Sequence, residues 1–186
     1  SNVERERSAR EQETPAVVDV YAAGIERGRL LWTRRPEHWS FLHLRLGTGT
    51  TKSRLSVAPA PGHDTGIPEY TKTLNELVDD FTNIDQVPLV ESLLTAGALG
   101  VVGDDVSLPD ATRALLIQVA GLHSPNEVVI AALTPSRMTP EYSWLKWLPH
   151  VASPSSPIAG PHLVDSEATA AVLLAELEGL IDARLG

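Results

Sequence analysis

The sequence predicts an α/β fold with a mostly parallel sheet, and three observations lead to this prediction. Two short apolar segments bounded by glycine or proline, "GALGVVG" at 97–103 and "VVIAALTP" at 128–135, have the character of buried strands in a parallel sheet. The residues at 108–122 between them follow a helical pattern. Strand, helix and strand in this order form a βαβ unit, whose right-handed crossover makes the two strands parallel.

Composition fits one globular domain and argues against several functional classes. The chain has 186 residues, of which 42% are hydrophobic and 21% are charged, and this length can bury one sizeable core. A net charge of −9 disfavours nucleic acid, because phosphate binding needs clustered lysine and arginine. Without cysteine, neither a disulfide framework nor a thiolate metal site can form. No apolar segment is long enough to span a membrane, so we expect a soluble fragment.

The first residues predict a charged linker followed by a helix. The opening "SN" is typical of a tag remnant, and residues 3–13 alternate charges with almost no apolar side chain, which predicts a solvated, frayed helix or tail. We therefore expect a linker at 1–14 and one folded domain at 15–186. A helix from Pro15 to Trp32 is predicted by apolar side chains at helical spacing, namely Val17, Val18, Tyr21, Ile25 and Leu31.

A half-buried strand is predicted next, because Leu42, Leu44 and Leu46 alternate with other side chains. The segment "GTGTTK" at 47–52 separates it from a second alternating segment, "SRLSVAP", and so predicts a turn with a solvated Lys52. It is not a Walker A loop, because the glycine positions of that motif would hold Leu46 and Thr51.

Three further segments precede the predicted βαβ unit. Residues 58–68 predict a loop, and residues 87–94 predict a short strand. Between them, residues 69–81 predict a helix whose apolar stripe consists of Tyr70, Leu74, Leu77, Val78 and Phe81.

The turn at 103–110 has the setting of a phosphate loop but not its chemistry. Counted from Gly103, Leu108 stands at the second glycine position, Pro109 at the lysine, and Asp110 at the magnesium-binding Ser or Thr. Thr134 stands where a nucleotide hydrolase carries its magnesium-side acid. We therefore expect no catalytic residue, no bound nucleotide and no cofactor.

The same turn is expected to cap the helix that follows it. Ser107 and Asp110 fit a capping box, and the acidic side chains favour the positive end of the helix dipole. The amides that a phosphate would use are then satisfied by the protein itself.

The C-terminal part predicts a short helix at 140–150, a loop at 153–161 and a long helix at 166–185. The inward residues of the long helix are expected to be Leu173, Leu177, Leu180 and Ile181. Trp144 and Trp147 are candidates for an interface with another module, although we favour a packed face of Trp144, Leu145 and Leu148. The six histidines are dispersed and predict no metal site.

Two stretches resemble a known family. "LLWTRRPEHWSFLHLRLGTGT" at 30–50 resembles a signature of the EccC/EssC membrane proteins of type VII (ESX) secretion. "LLIQVAGLHSPNEVVIAALTPSR" at 115–137 and "YSWLKWLPHV" at 142–151 resemble segments of FtsK/SpoIIIE-type ATPase domains and of EccC. Together the similarity covers most of 29–186.

The resemblance implies a fold and a place in a larger protein. In this family two transmembrane helices precede a stalk, a cytosolic domain follows, and FtsK-like ATPase modules come next. The chain resembles the stalk end and that first cytosolic domain. The implied fold is a degenerate P-loop NTPase-like domain with an N-terminal helix and a β-hairpin, with a sheet that lacks its C-terminal strands.

The resemblance also implies a function and partners. We expect a noncatalytic coupling and assembly domain at the cytoplasmic face of a bacterial membrane, in a protein that exports WXG100-type substrates. Its partners would be other subunits of the secretion complex and the downstream ATPase modules, and Arg34 and Arg35 would be candidates for contact with lipid head groups. The alternatives are a nucleotide-binding regulatory or hydrolytic domain that uses Lys52, and a DNA-translocating module.

Overall fold

The computed structural model describes residues 2–55, 72 and 82–186. The helices are α1 (Asn2–Glu13), α2 (Val17–Glu26), α3 (Leu93–Ala96), α4 (Ser107–Leu122), α5 (Thr139–Tyr142) and α6 (Glu167–Leu185). The strands are β1 (His43–Lys52), β2 (Asn83–Ser92), β3 (Ala132–Leu133) and β4 (Leu163–Val164), and 3₁₀ turns lie at Ser136–Met138, Ser143–Trp147 and Pro149–Val151. The predicted loop at 58–68, the strand beyond Leu55 and the apolar stripe within 69–81 lie outside the described residues.

The described strands form two separate two-stranded sheets. β1 pairs antiparallel with β2, with Leu44 opposite Glu91, and two irregularities interrupt the register. β3 pairs parallel with β4, with Ala132 opposite Leu163. The α/β class is therefore confirmed, but a mostly parallel sheet is not found in the described part of the chain, because its longer sheet is antiparallel.

The predicted turn at 47–52 is wrong, because these residues form the second half of β1. Gly49 lies beneath the side chain of Leu89, and a Cβ at Gly49 would come within 2.8 Å of the Leu89 Cδ1 atom. The glycine therefore admits a cross-strand neighbour and does not reverse the chain. Lys52 is exposed as predicted, whereas Leu46, expected on the buried face, is 49% exposed.

The predicted strand at 97–103 is also wrong. This segment has no regular secondary structure, Gly97 has a φ of 70°, and Val102 is 99% exposed. Glycine favours irregular backbone and offers no side chain to pack on a sheet. The predicted strand at 128–135 is reduced to β3, and its parallel partner β4 was not predicted. The βαβ unit expected around α4 is thus absent from the described residues.

Helix α4 is fixed to β1 by a polar side chain. The buried Gln118 accepts a hydrogen bond from the Arg45 N–H at 2.8 Å and donates one to the Arg45 carbonyl at 3.0 Å. The amide side chain thus pairs with a backbone unit much as a neighbouring strand would, and satisfies polar groups that would be costly to bury alone.

Helix α1 is a helix as predicted, but it is not simply solvated. Glu6 is only 7% exposed, and its carboxylate accepts hydrogen bonds from the Arg10 guanidinium (2.9 Å), the Ser53 hydroxyl (2.7 Å) and the Arg54 N–H (2.8 Å). Burial opposes ionisation of Glu6, but these hydrogen bonds outweigh it and leave the pKa of Glu6 below its ordinary value.

Two further ion pairs extend this attachment, one to β1 and one to the residues just after it. Arg45 binds Glu11 at 2.6 Å, and Arg54 binds Glu13. A charged helix without an apolar face can therefore dock on a strand through a set of partly buried ion pairs.

The C-terminal half packs around two apolar clusters. The first contains Ala120, Ile130 and Val151, and the second contains Ile158, Val164 and Leu173. Helix α6 begins at the predicted place, where the Ser166 hydroxyl accepts from the Thr169 N–H. Leu173, Leu177 and Leu180 face inward as predicted, but Ile181 is 56% exposed, so its predicted inward position is wrong. Among the described helices, none has the length and apolar character that a bilayer crossing requires.

Replacing Glu6 by glutamine should loosen α1 from β1. The change removes the charge that binds Arg10, Ser53 and Arg54, and loss of such buried hydrogen bonds costs about 1–3 kcal/mol. Hydrogen–deuterium exchange at neutral pH should become faster in α1 and stay unchanged in α4. Because the pKa of Glu6 is lowered, docking of α1 is fully present above the ordinary glutamate value of about 4.3 and is lost as the pH falls through the lowered one.

The matched control for this test is Glu4→Gln. The Glu4 side chain is 68% exposed and pairs with Arg7 within the same helix, so its neutralisation should leave exchange in α1 nearly unchanged. Equal acceleration in both variants would contradict the role assigned to Glu6.

Candidate functional site

A groove of about 850 Å³ lies between α2, α4 and the segment 144–150. One wall is the face of α2 that carries Tyr21 and Ile25, and the floor comes from α4 around Ile117 and Gly121. Trp144 and Trp147 lie on the opposite side. The groove is therefore bordered by three separate parts of the chain and exists only once they have packed together.

Helix α2 lies close to α4 because Gly121 has no side chain. A Cβ at Gly121 would be 2.4 Å from the Cγ1 atom of Val20, which is 1% exposed. With Val20 turned inward, Val18, Tyr21 and Ile25 form an outward stripe at helical spacing and are 69%, 55% and 69% exposed. This apolar stripe has no partner among the described residues.

The residues that follow α2 form part of the groove lining. The helix was predicted to reach Trp32 but ends at Glu26, where Arg27 takes a left-handed conformation with φ 54° and closes the helix with a backbone hydrogen bond to Ala23. The chain then crosses the end of α4, where the Trp32 N–H donates to the Gly121 carbonyl at 2.8 Å. The Trp32 indole donates to the Ala120 carbonyl at 3.2 Å.

Residues 144–148, here called the tryptophan segment, contain a buried leucine and an exposed indole ring. Leu145 is 1% exposed and Leu148 packs on the first apolar cluster, which agrees with a packed face. Trp147 instead is 80% exposed, and the Lys146 ammonium lies 5.2 Å from its ring centroid. A role of Trp144 and Trp147 as an interface stays a prediction.

Two buried histidines hold the groove floor to the rest of the protein. The His123 Nε2 atom accepts from the Leu42 N–H at 3.0 Å, and its Nδ1 atom lies 3.0 Å from the Val119 carbonyl, to which it donates. The His150 Nε2–H donates to the His123 carbonyl at 2.8 Å. Burial lowers the pKa of both side chains. Both are therefore neutral structural histidines near pH 7.

Two polar atoms in the groove wall are buried without a hydrogen-bond partner among the described residues. They are the Trp144 Nε1 atom and the His150 Nδ1 atom. The second of these would become a buried, unpaired N–H on protonation, which adds to the cost of charging His150.

The charged residues that line the groove are basic. Arg27 and Arg113 are part of the lining, and no aspartate or glutamate is among the described residues that line it, although the chain as a whole carries a net charge of −9. Arg113 is bound at the rim by Asp110 at 2.7 Å and by Glu141 at 3.5 Å. The groove is thus mainly apolar, with Arg27 and the carboxylate-paired Arg113 in its lining.

The two arginines predicted to face lipid have different positions. Arg34 is 5% exposed and donates to the carbonyls of His43 and Glu13, and burial lowers its pKa. Arg34 is therefore a buried structural residue, and the prediction that it contacts lipid is wrong. Arg35 is exposed and pairs with Glu127 at 3.2 Å, and its role stays a prediction.

The start of α4 is capped by a residue that the sequence pattern missed. The Asp104 Oδ1 atom accepts from the N–H groups of Val106 (2.9 Å) and Ser107 (2.7 Å) and from the Ser107 hydroxyl. These hydrogen bonds, led by that from the Ser107 N–H, lower the pKa of Asp104. Asp110 instead pairs with Arg113, so the predicted capping box of Ser107 and Asp110 is wrong.

The other predicted loop positions are not brought together as a nucleotide site would require. Pro109 is buried and Leu108 is half-buried. Thr134 lines a separate cavity of about 120 Å³ that none of the residues 103–110 lines. Within the part of the chain that the structure describes, no group of three or more His, Cys, Asp or Glu side chains is arranged to hold a metal ion.

Comparison with known proteins identifies relatives in type VII secretion. No family model matches the chain. It is 29% identical over 165 residues to the ESX-4 secretion system protein EccC4 of Mycobacterium tuberculosis, which covers 83% of this chain and 13% of that protein. It is 28% identical over 128 residues to the ESX secretion system protein EccC of Thermomonospora curvata, covering 67% and 10% of the two chains.

A third relative comes from a different bacterial group. The chain is 22% identical over 178 residues to the type VII secretion system protein EssC of Staphylococcus aureus, covering 92% of this chain and 11% of that protein. The chain thus spans about a tenth of the length of these relatives. The resemblance to EccC/EssC proteins is confirmed.

Gly121→Ala should push α2 away from α4 and destabilise the fold. The added methyl group would overlap Val20, and overpacking of this kind costs about 1–3 kcal/mol. Urea unfolding measures the change in the free energy of unfolding. Gly24→Ala is the matched control, because a Cβ there has no neighbour within 4 Å and alanine favours the helix. A stable Gly121→Ala protein would contradict the close approach of the two helices.

Acid should destabilise the protein through His123 and His150. Their folded pKa values are lowered, so the unfolded chain binds protons that the folded chain does not. The associated stability is fully present above the ordinary histidine value of about 6.5 and declines as the pH falls below it. Urea midpoints measured between about pH 7.5 and about pH 5.5 should fall accordingly.

His150→Gln tests the origin of this pH dependence. It should lower stability at neutral pH, because the buried ring is lost, and should also flatten the pH profile. His38→Gln makes the same exchange at an exposed histidine and serves as the matched control. A profile that is equally steep in all three proteins would rule out the buried histidines as its cause.

Proposed function

We propose that this chain is a noncatalytic coupling and assembly domain of a type VII secretion motor protein. Its similarity to EccC and EssC proteins over most of its length supports this assignment. The domain would transmit contacts between other parts of the secretion machinery and would not turn over substrate itself.

The observation that carries the proposal is the occupied start of α4. A phosphate-binding loop presents free backbone N–H groups and the positive end of a helix dipole to the anion. Here the Asp104 carboxylate already accepts the Val106 and Ser107 N–H groups. A polyphosphate at this place would have to displace a carboxylate and would be repelled by it, and Pro109 at the lysine position offers no countercharge.

The groove is a second observation that supports a docking role. Exposed apolar patches rimmed by polar residues are typical of protein-binding surfaces, and the histidines beside this groove are held in structural hydrogen bonds. The groove therefore offers a surface for contact, and the two histidines beside it serve in structural hydrogen bonds.

The finer parts of the proposal concern the larger protein. They are a relation to degenerate FtsK-like nucleotide-binding modules, a position between membrane helices and downstream ATPase modules at the cytoplasmic face of the membrane, and export of WXG100-type substrates. The partners would be those ATPase modules and other subunits of the secretion complex. A DNA-translocating role is disfavoured by the net charge of −9.

Calorimetric titration of the chain with Mg-ATP tests the proposal. We expect no heat of binding and no release of phosphate, because the helix start is already capped. The variant Asp104→Ala, which frees the cap, and the double variant Pro109→Lys, Asp110→Ser, which restores a basic side chain and a hydroxyl, show whether the loop is intrinsically capable of binding. Binding or hydrolysis by the unchanged chain that either variant alters would overturn the noncatalytic assignment in favour of a nucleotide-sensing domain.

A further inference from the structure

We propose that the groove between α2, α4 and Trp147 binds an amphipathic α-helix with acidic flanks, contributed by a different protein chain. The inference rests on the proposed coupling function and names the chemistry of the partner that the groove would accept. Three properties of the groove lead to it, namely its shape, its anchoring side chains and its charge.

The shape suits a helix. Along α4 the lining extends from Arg113 to Gly121, which is about 12 Å or two helical turns at a rise of about 1.5 Å per residue. The wall on α2 presents Tyr21 and Ile25 one turn apart. Two helices packed side by side leave a furrow between their ridges, and a third helix fills it when its own side chains recur every third or fourth residue.

The anchoring side chains are of the kind that dominates interface energetics. Tyr21, Ile25 and Trp147 are 55%, 69% and 80% exposed, although they adjoin one groove. Large aromatic and aliphatic residues in a shared depression carry most of the binding free energy in known interfaces. Two exposed apolar side chains on a helix and an exposed indole that lines the same groove therefore define a site that an apolar helix face would cover.

The charge selects among occupants. Arg27 and Arg113 line the groove. Arg113 is already paired with Asp110 and Glu141. The preference for carboxylates therefore rests on Arg27 and on Lys146, which adjoins the Trp147 ring. A basic edge on a chain with a net charge of −9 favours an occupant with carboxylates beside its apolar stripe. A second copy of this chain is disfavoured, because two copies would repel each other through their net charge.

Synthetic helices test the proposal on the unchanged chain. The probes are fluorescein-labelled peptides of about 18 residues, long enough to populate a helix, with one leucine stripe shared by all. In the first peptide the remaining face carries glutamate, in the second it carries lysine, and in the third a central proline breaks the glutamate-bearing helix. Fluorescence anisotropy should show binding of the first peptide only, weakened by salt because the rim contacts are ionic.

Variants locate the binding. Trp147→Ala and Ile25→Ser should weaken the glutamate peptide about tenfold or more, as expected for anchoring residues, and Arg27→Glu should weaken it while improving the lysine peptide. Trp39→Ala is the matched control, because Trp39 is 59% exposed but does not line this groove. Circular dichroism confirms that each variant is folded.

Several outcomes would overturn the inference. They are equal binding of the glutamate and lysine peptides, binding that Trp147→Ala and Trp39→Ala weaken alike, and no binding of the glutamate peptide at concentrations of order 1 mM. A dimer in sedimentation equilibrium that Trp147→Ala abolishes would assign the groove to a second copy and reject a different chain. These results are independent of the Mg-ATP titration, so the groove can fail while the noncatalytic assignment stands, and the reverse.

Discussion

The buried imidazole of His123 is the contact on which the arrangement of the described core depends. The ring accepts from the Leu42 N–H just before β1, donates back to the Val119 carbonyl, and packs edge-on against Phe41. The carbonyl of the same residue accepts from His150. One fully buried residue therefore joins the end of α4 to the start of β1 and to the turn that follows the tryptophan segment. Apolar packing alone would not fix these three directions, because it is not directional.

Hydrogen bonding from α4 also replaces what a continuous sheet would otherwise supply. Gln118 pairs with the backbone of Arg45, and His123, just after the end of α4, pairs with that of Leu42. The edge of β1 is thus covered by side chains of a helix, which protects it from pairing with another chain. These hydrogen bonds explain how α4 can lie against the antiparallel pair of β1 and β2, although the parallel strand predicted at 97–103 is not formed.

The sequence was informative where one segment decides its own structure. Helices α4 and α6 and the strand predicted at 87–94, found as β2 at Asn83–Ser92, follow from local apolar patterns, and the start of α6 follows from the Ser166 cap. Prediction failed in glycine-rich segments. Gly49 lies in a strand and makes room for Leu89 of the neighbouring strand, whereas Gly97 lies in an irregular loop. Strand β4 was missed because two residues carry no periodic signal, and its existence depends on pairing with β3.

The groove could not be predicted for a related reason. Trp147 was noticed as a candidate contact, but its neighbours Tyr21 and Ile25 are far away in sequence and were expected to face the core. They are exposed because Val20, which lies between Val18 and Tyr21 in sequence, takes the inward place against Gly121. The inward turn of α2 is decided by one missing Cβ on another helix, and spacing within α2 alone does not reveal it.

The distribution of polar and apolar groups in this protein favours a role in coupling. A carboxylate, Glu6, is buried where α1 meets the end of β1, whereas large apolar side chains are exposed at the groove. The groove adjoins α4, and α4 binds β1 through Gln118. In turn, β1 binds α1 through Arg45, and Arg54 just after β1 adds a second ion pair. A partner seated in the groove and a segment attached to α1 would therefore act on the two ends of one continuous set of packed and hydrogen-bonded elements. That arrangement fits the coupling role proposed above, because passing mechanical contact between neighbours needs rigid connections.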